Sequence, residues 1–352
     1  MKFRQKFVIL LFTLIFFSGM AMAACTGRKD GGKHCRKCAT PEPGTYIDRK
    51  ALLIVKNVNQ FVKNPKKSLK LTSTLGNLLE PRVKLVTDTT IFQDSLSIPL
   101  RIYYPKAALR NKPAPMIFFI HGGAFMYGGI ESYEMLMKKL SRESGCIVVS
   151  VEYRLAPEHP FPAGFNDCYA ALIWLSLHAT ELGSDPAMIS VMGDSAGGNL
   201  AAVTVLRSQQ ESGPRVASLA LIYPSTTFAD TLYPSRDYFS GHYSEPYLLS
   251  DQLMREVRES YLQPGADIQN PYVSPLFADF SGDFPPTLII TAQCDPLRDE
   301  GKLLADRMTE AGVQVTYHMY EGMIHAFLSF YTLLPEGKDA LEELSSFVNN
   351  KE

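Results

Sequence analysis

A largely parallel β-sheet with helices on both faces is the fold class that the 352-residue sequence predicts. Three observations predict it. Short runs that are apolar throughout, such as PMIFFIH at 115–121 and CIVVSVEYR at 146–154, read as strands buried on both faces. Segments with helical spacing separate them, as the crossovers of a parallel sheet require. Glycine, serine, histidine and aspartate gather just after the strand runs, where ligands of such sheets bind.

The elements justify themselves in order. Residues 1–24 combine Lys2, Arg4 and Lys6, the apolar run FVILLFTLIFF at 7–17 and a small-residue stretch, and read as an export signal. The run is shorter than the ~18 to 20 apolar residues a membrane span needs. Residues 25–45 form a polar linker holding Cys25, Cys35 and Cys38. In an oxidising compartment Cys35 and Cys38 are expected to pair with each other. The competing reading, a zinc half-site with His34, lacks its remaining ligands. Residues 46–80 show helical spacing through Ile47, Leu52, Leu53, Val55, Val58, Phe61 and Val62. After the two strands named above, a helix is expected over 164–182, with Tyr169, Leu172, Ile173 and Leu175 on its apolar side. The stretch ISVMGDSAGGNLAAV at 189–203 then turns from strand to helix. A strand follows at 217–225, a helix at 250–262, a strand at 285–295, a helix at 299–312, the last strand at 313–322 and the last helix at 337–350. Cys146, Cys168 and Cys294 fall in apolar segments and read as buried thiols.

Composition narrows the function. The chain is 46% hydrophobic and 20% charged, an ordinary globular balance. Lys plus Arg number 35 against 36 Asp plus Glu, so no global field favours nucleic acid. Internal repeats, low-complexity tracts and a P-loop are absent from the sequence, and no segment after the first is long and apolar enough to span a membrane.

The chemistry centres on Gly193-Asp194-Ser195-Ala196-Gly197, a G-x-S-x-G at a strand end. A serine on so tight a turn needs small residues two positions before and after it. The turn lifts its hydroxyl above the sheet, and the following helix directs its dipole at a developing oxyanion. A second glycine turn, His121-Gly122-Gly123-Ala124-Phe125, follows the strand at 115–121 and presents backbone N–H groups that join the Ala196 amide in an oxyanion hole. His121 reads as a structural orienter of that loop. Of seven histidines, His325 in EGMIHAF follows the last strand and lies C-terminal to the serine, which suits a general base. His159 sits in a proline-pinned loop, His178 and His318 inside regular elements, and His34 and His242 in polar stretches. The acid belongs between serine and histidine. Asp295 closes the strand TLIITAQCD ahead of Pro296, whereas Asp299 is placed to complement the next helix. The order Ser195, Asp295, His325 fits an α/β-hydrolase topology.

Taken together, HGGAF, YRLAPEHPFPA, GDSAGGN, DPLRDE and GMIHAF make the sequence resemble the hormone-sensitive lipase family of carboxylesterases over roughly residues 80–350. The resemblance implies an α/β-hydrolase fold with a helical cap, Ser195 as nucleophile, His325 as base and Asp295 as its orienter. It further implies oxyanion donors at Gly122, Gly123 and Ala196, although Ala124 stands where many relatives have a third glycine. The matching cap segments are 46–80 and about 227–268, with 46–352 forming the hydrolase domain. The aromatics of the second segment either line the pocket or fix the cap in place.

A serine carboxylesterase acting on small to medium apolar esters through an acyl-enzyme is therefore expected, with no cofactor or metal needed. A binding protein on the same fold, without turnover, is the rival from another class; plant gibberellin receptors resemble this family but lack the histidine. A lipase and an amide or sugar-ester deacylase are the rivals among enzymes. At the N-terminus two outcomes compete. Ala21-Met22-Ala23 would release an exported protein starting at Ala24, while Met22-Ala23-Ala24-Cys25 resembles a lipobox that would anchor the chain to a membrane through Cys25.

Overall fold

The computed structural model describes residues 37–63, 81, 83–93, 96–109, 113–229, 233–241, 247–281 and 283–349. The export signal, Cys25, Cys35, His34, His242 and the second half of the predicted 46–80 helix lie outside these residues.

Among the described residues eight strands form one sheet and two more a small hairpin. The hairpin pairs β1 (Lys37–Ala39) with β2 (Tyr46–Asp48) and leads into α1 (Arg49–Lys63). The sheet contains β3 (Leu85–Gln93), β4 (Leu96–Tyr104), β5 (Met116–Ile120), β6 (Ile147–Val151), β7 (Ile189–Asp194), β8 (Ser218–Ile222), β9 (Thr287–Cys294) and β10 (Val315–Ile324). Their order is β10-β9-β8-β7-β5-β6-β4-β3, parallel from β10 to β6, with β4 antiparallel to both its neighbours. Six helices connect or flank the later strands. They are α2 (Ile130–Ser144), α3 (Ala163–His178), α4 (Ala196–Gln210), the short α5 (Pro234–Phe239), α6 (Asp251–Tyr261) and α7 (Arg298–Glu310). A last helix, α8 (Pro335–Asn349), follows β10.

The predicted parallel sheet is present, and its central strands are buried on both faces. In β5, Met116, Phe118 and Ile120 enter one core cluster and Ile117 and Phe119 the other. Full burial of such side chains is worth roughly 1.5–3 kcal/mol each, and it explains why these strands read as unbroken apolar runs. The β3–β4 pair and α2 were not among the predicted elements. β3 is the edge strand, with Leu85 and Phe92 exposed, and β4 carries Pro99, so neither shows a continuous apolar run. The Pro99 carbonyl still accepts the Glu152 N–H at 2.9 Å.

The two segments expected to form a cap behave differently. α1 buries Ala51, Ile54 and Val55 in the cluster that also holds Tyr320 and Phe327, behind the end of β10. α5 and α6 instead lie over the carboxyl ends of the strands and wall a cavity there. Ser250 caps α6, its hydroxyl accepting the Leu253 N–H at 3.1 Å. Among the described residues no helix is long and apolar enough to cross a membrane.

Candidate active site

Ser195 occupies the turn between β7 and α4 with φ 56° and ψ −121°, a conformation a non-glycine residue holds only under strain. Its neighbours make the turn feasible. A Cβ on Gly193 would lie 2.2 Å from the Gly197 carbonyl oxygen, and one on Gly197 would lie 2.1 Å from that of Ile120. Both positions therefore require glycine. Hydrogen bonds pin the turn to the next strand, from Ser195 N–H to Ile222 O (2.8 Å) and from Ser225 N–H to Ser195 O (3.1 Å).

The ends of β9 and β10 bring an acid and a base to this serine. His325 Nε2 lies 2.9 Å from Ser195 Oγ, and His325 Nδ1 lies 2.7 Å from Asp295 Oδ2. A carboxylate only accepts, so Nδ1 carries the proton and Nε2 is the free base facing the hydroxyl. The other oxygen of Asp295 accepts the Leu297 N–H at 2.9 Å, which fixes the carboxylate, and Asp295 is wholly buried. The register of β10 against β9 shifts between Tyr320 and Ile324, just before His325. Gly322, at φ 72°, sits in that bulge and donates its N–H to Gln293 Oε1 at 2.9 Å. Asp299 faces elsewhere. It accepts the Ser235 N–H at 2.8 Å and pairs with Arg298 Nε at 2.7 Å, tying α5 to α7.

The glycine loop is built differently from the expectation. Gly122 N–H donates to Asp194 Oδ1 at 2.8 Å and lies 3.1 Å from the Tyr133 hydroxyl, so this amide points into the protein and is already engaged. The reading of Gly122 as an oxyanion donor is corrected on that ground. Burial pushes the Asp194 carboxyl up to about 6, against the Tyr133 and Gly122 hydrogen bonds that favour its charge. Tyr133 donates to Asp194 Oδ2 at 2.9 Å. The chain then turns at Gly123, Ala124 and Phe125 with φ values of 121°, 56° and 58°. A Cβ on Gly123 would meet the Tyr127 carbonyl oxygen at 2.1 Å. Ala124 and Phe125 share the cavity wall with Ser195 and Ala196, the last at the first turn of α4, where backbone N–H groups have no partner within the helix.

His121 supports this loop from beneath. It is fully buried, stacked on Tyr153 with ring centroids 4.3 Å apart, and its Nδ1 lies 2.8 Å from Gly122 O. Burial pulls its pKa down to about 4, so the ring is neutral near pH 7. The remaining described histidines stay apart from Ser195. His159 is exposed, His178 stacks on Trp174, and His318 pairs with Glu343 on the surface. Cys146, Cys168 and Cys294 are buried. No group of metal-ligating side chains occurs among the described residues.

Sequence reasoning passed over three residues of this region. Asp194 stood only as a spacer in G-x-S-x-G, and Tyr133 lies in a helix that was not predicted. Glu300, in DPLRDE, is wholly buried beside the cavity and accepts the Thr226 N–H at 2.7 Å. Burial pushes its carboxyl up to about 8. A carboxylate directly after a strand-end acid motif was the one available signal.

The chain has relatives among known proteins. The Abhydrolase_3 family model, described as an alpha/beta hydrolase fold, matches residues 117–329. Carboxylesterase NlhH of Mycobacterium tuberculosis is 37% identical over 270 residues, covering 74% of this chain and 81% of that one. Esterase LipI of the same organism is 33% identical over 264 residues, covering 74% and 80%. Among solved structures, the monoclinic form of a Pyrobaculum calidifontis esterase is 39% identical with a TM-score of 0.72, covering 76% of this chain and 86% of that one. EstE1, a thermostable carboxylesterase from a metagenomic library, is 35% identical with a TM-score of 0.73, covering 84% and 96%.

Proposed function

We propose that this chain, which belongs to the Abhydrolase_3 family of the alpha/beta hydrolase fold and is a serine carboxylesterase, works with Ser195 as nucleophile, His325 as general base and Asp295 as the orienter of the imidazole. The observation that carries the residue assignment is His325 bonded on one side to Ser195 and on the other to buried Asp295. Ser195 Oγ attacks the ester carbonyl carbon while His325 Nε2 takes its proton. The tetrahedral intermediate collapses with cleavage of the acyl–oxygen bond, and His325 returns the proton to the departing alcohol. Water, deprotonated by His325, then attacks the acyl-enzyme; the Ser195 Oγ–acyl bond breaks, the carboxylic acid leaves and His325 returns the proton to Ser195 Oγ. Asp295, bonded to Nδ1, holds the imidazole in position and stabilises the imidazolium.

The oxyanion is assigned to the N–H groups of Ala196 and Gly123, with that of Ala124 beside them on the cavity wall. Gly122 holds the loop through Asp194 instead. Donors fixed in this way need no rearrangement as charge develops, which is what makes them effective. Small to medium acyl groups suit the cavity, because Phe125 and Phe228 from the body and Leu253, Met254 and Val257 from α6 close an apolar chamber over Ser195. The test is a series of 4-nitrophenyl esters of increasing acyl length. Turnover should peak at short to medium chains and disappear in Ser195→Ala.

Export through residues 1–24 completes the proposal, supported by three basic residues ahead of the apolar run at 7–17 and by the Ala21-Met22-Ala23 site. Intact-mass analysis of the native protein distinguishes a free Ala24 from a lipidated Cys25.

A further inference from the structure

The cap face of the cavity carries more positive charge than an apolar ester requires. α5 contributes Arg236, and α6 contributes Arg255 and Arg258, to the same wall that faces Ser195. The acid on that wall is Glu300, and one of its oxygens accepts the Thr226 N–H at 2.7 Å. Several guanidinium groups elsewhere in the protein meet carboxylates. Arg154 forks onto Asp167, Arg298 onto Glu42, Arg101 onto Asp88, and Arg207 reaches Glu211. Arg236 and Arg255 make no ion pair or side-chain hydrogen bond among the described residues. Arg236 is half-buried and Arg255 exposed. Arg236, Arg255 and Arg258 thus bring three guanidinium groups to the wall of the chamber that holds Ser195, a donor set suited to a planar anion.

We infer that the enzyme's substrates are esters bearing a carboxylate, which Arg236 and Arg255 bind under the cap while Ser195 cleaves the ester bond. The inference deepens the esterase reading above and rests on it. Burial raises the Glu300 carboxyl to about 8, so near pH 7 it offsets little of the arginine charge on this wall. The carboxylate can belong to the acyl half, as in a monoester of a dicarboxylic acid, or to the alcohol half, as in an acylated hydroxy acid.

Two matched substrate pairs test it and separate those sources. The first is 4-nitrophenyl adipate monoester against 4-nitrophenyl hexanoate, and the second is 4-acetoxybenzoate against its methyl ester. The charged member of one pair should show kcat/KM about tenfold above its neutral partner at low ionic strength, the size of a hydrogen-bonded charged contact. That preference should collapse toward one at about 1 M salt, where screening acts within a few ångströms. In the Arg236→Gln/Arg255→Gln double variant the charged-to-neutral ratio should fall about tenfold, through KM. A ratio that is the same at low and high salt and in the double variant overturns the inference while leaving the esterase reading intact. Failure to hydrolyse any of the four esters overturns the esterase reading, and this inference with it.

Discussion

Replacing Glu300 by glutamine should make the protein more stable, and increasingly so as pH rises. The carboxyl is fully buried and holds its proton up to about pH 8, whereas in the unfolded chain it releases it near its ordinary 4.5. Desolvation is the main cause; the Asp295 charge adds to it, while the backbone N–H groups of Thr226 and Thr227 and the Arg236 guanidinium oppose it. Between those two pH values the folded state binds the proton and the unfolded state does not, so stability falls as pH rises through that window. At about 1.4 kcal/mol per pH unit, the full loss across it is on the order of 4–5 kcal/mol. Glutamine keeps an oxygen for the Thr226 N–H, now 2.7 Å away, and has no proton to lose. Urea denaturation of wild type and Glu300→Gln at pH 5, 6, 7 and 8 measures the difference directly. The variant's advantage should grow by several kcal/mol from pH 5 to pH 8. Parallel stability curves would show that Glu300 ionises normally in the folded protein and refute the reasoning.

Three further outcomes follow from the same contacts. Asp295→Asn should lower kcat on the order of 10⁴-fold, the loss that a wrong imidazole tautomer causes in the serine-protease example, while Asp299→Asn, which removes a surface-side tie between α5 and α7, should lower the melting temperature with kcat largely retained; steady-state kinetics and thermal melts of both variants decide it. Tyr133→Phe removes the donor to Asp194 Oδ2 and should cost about 1–3 kcal/mol of stability, with kcat falling more than KM changes because the glycine loop loosens; equal effects on both parameters would argue against a loop-positioning role. Gly197→Ala should prevent accumulation of folded protein, since the added Cβ would sit 2.1 Å from backbone oxygen, and a soluble, active variant detected by circular dichroism and ester turnover would contradict the packing of the turn.

What the sequence revealed depended on how each element meets its surroundings. β5 and β7 are buried on both faces, and their unbroken apolar runs could be read directly. β3 and β4 lie at the sheet edge with mixed polarity and a proline, and they left no such trace. Ser195, Asp295 and His325 were recognisable because each follows a strand whose end is marked by glycine, proline or a small residue. The direction of a backbone N–H is a different matter. Gly122 and Gly123 are adjacent and chemically identical, and only the three-dimensional position of Asp194, 72 residues beyond Gly122 in sequence, engages the Gly122 amide. Glu300 was hidden for a similar reason, since its burial arises from Thr226 and the cap rather than from its own neighbours in the chain.

Covalent labelling with a fluorophosphonate, followed by peptide mapping, tests the central claim most directly. The probe reacts only with a serine whose proton is drawn off by a neighbouring base, so it reports the Ser195–His325–Asp295 contact as chemistry rather than as distance. One label per chain, located on Ser195, lost in Ser195→Ala and strongly slowed in His325→Ala, is the result the account predicts. A label on another serine, or wild-type protein that takes up none while hydrolysing esters, would contradict it.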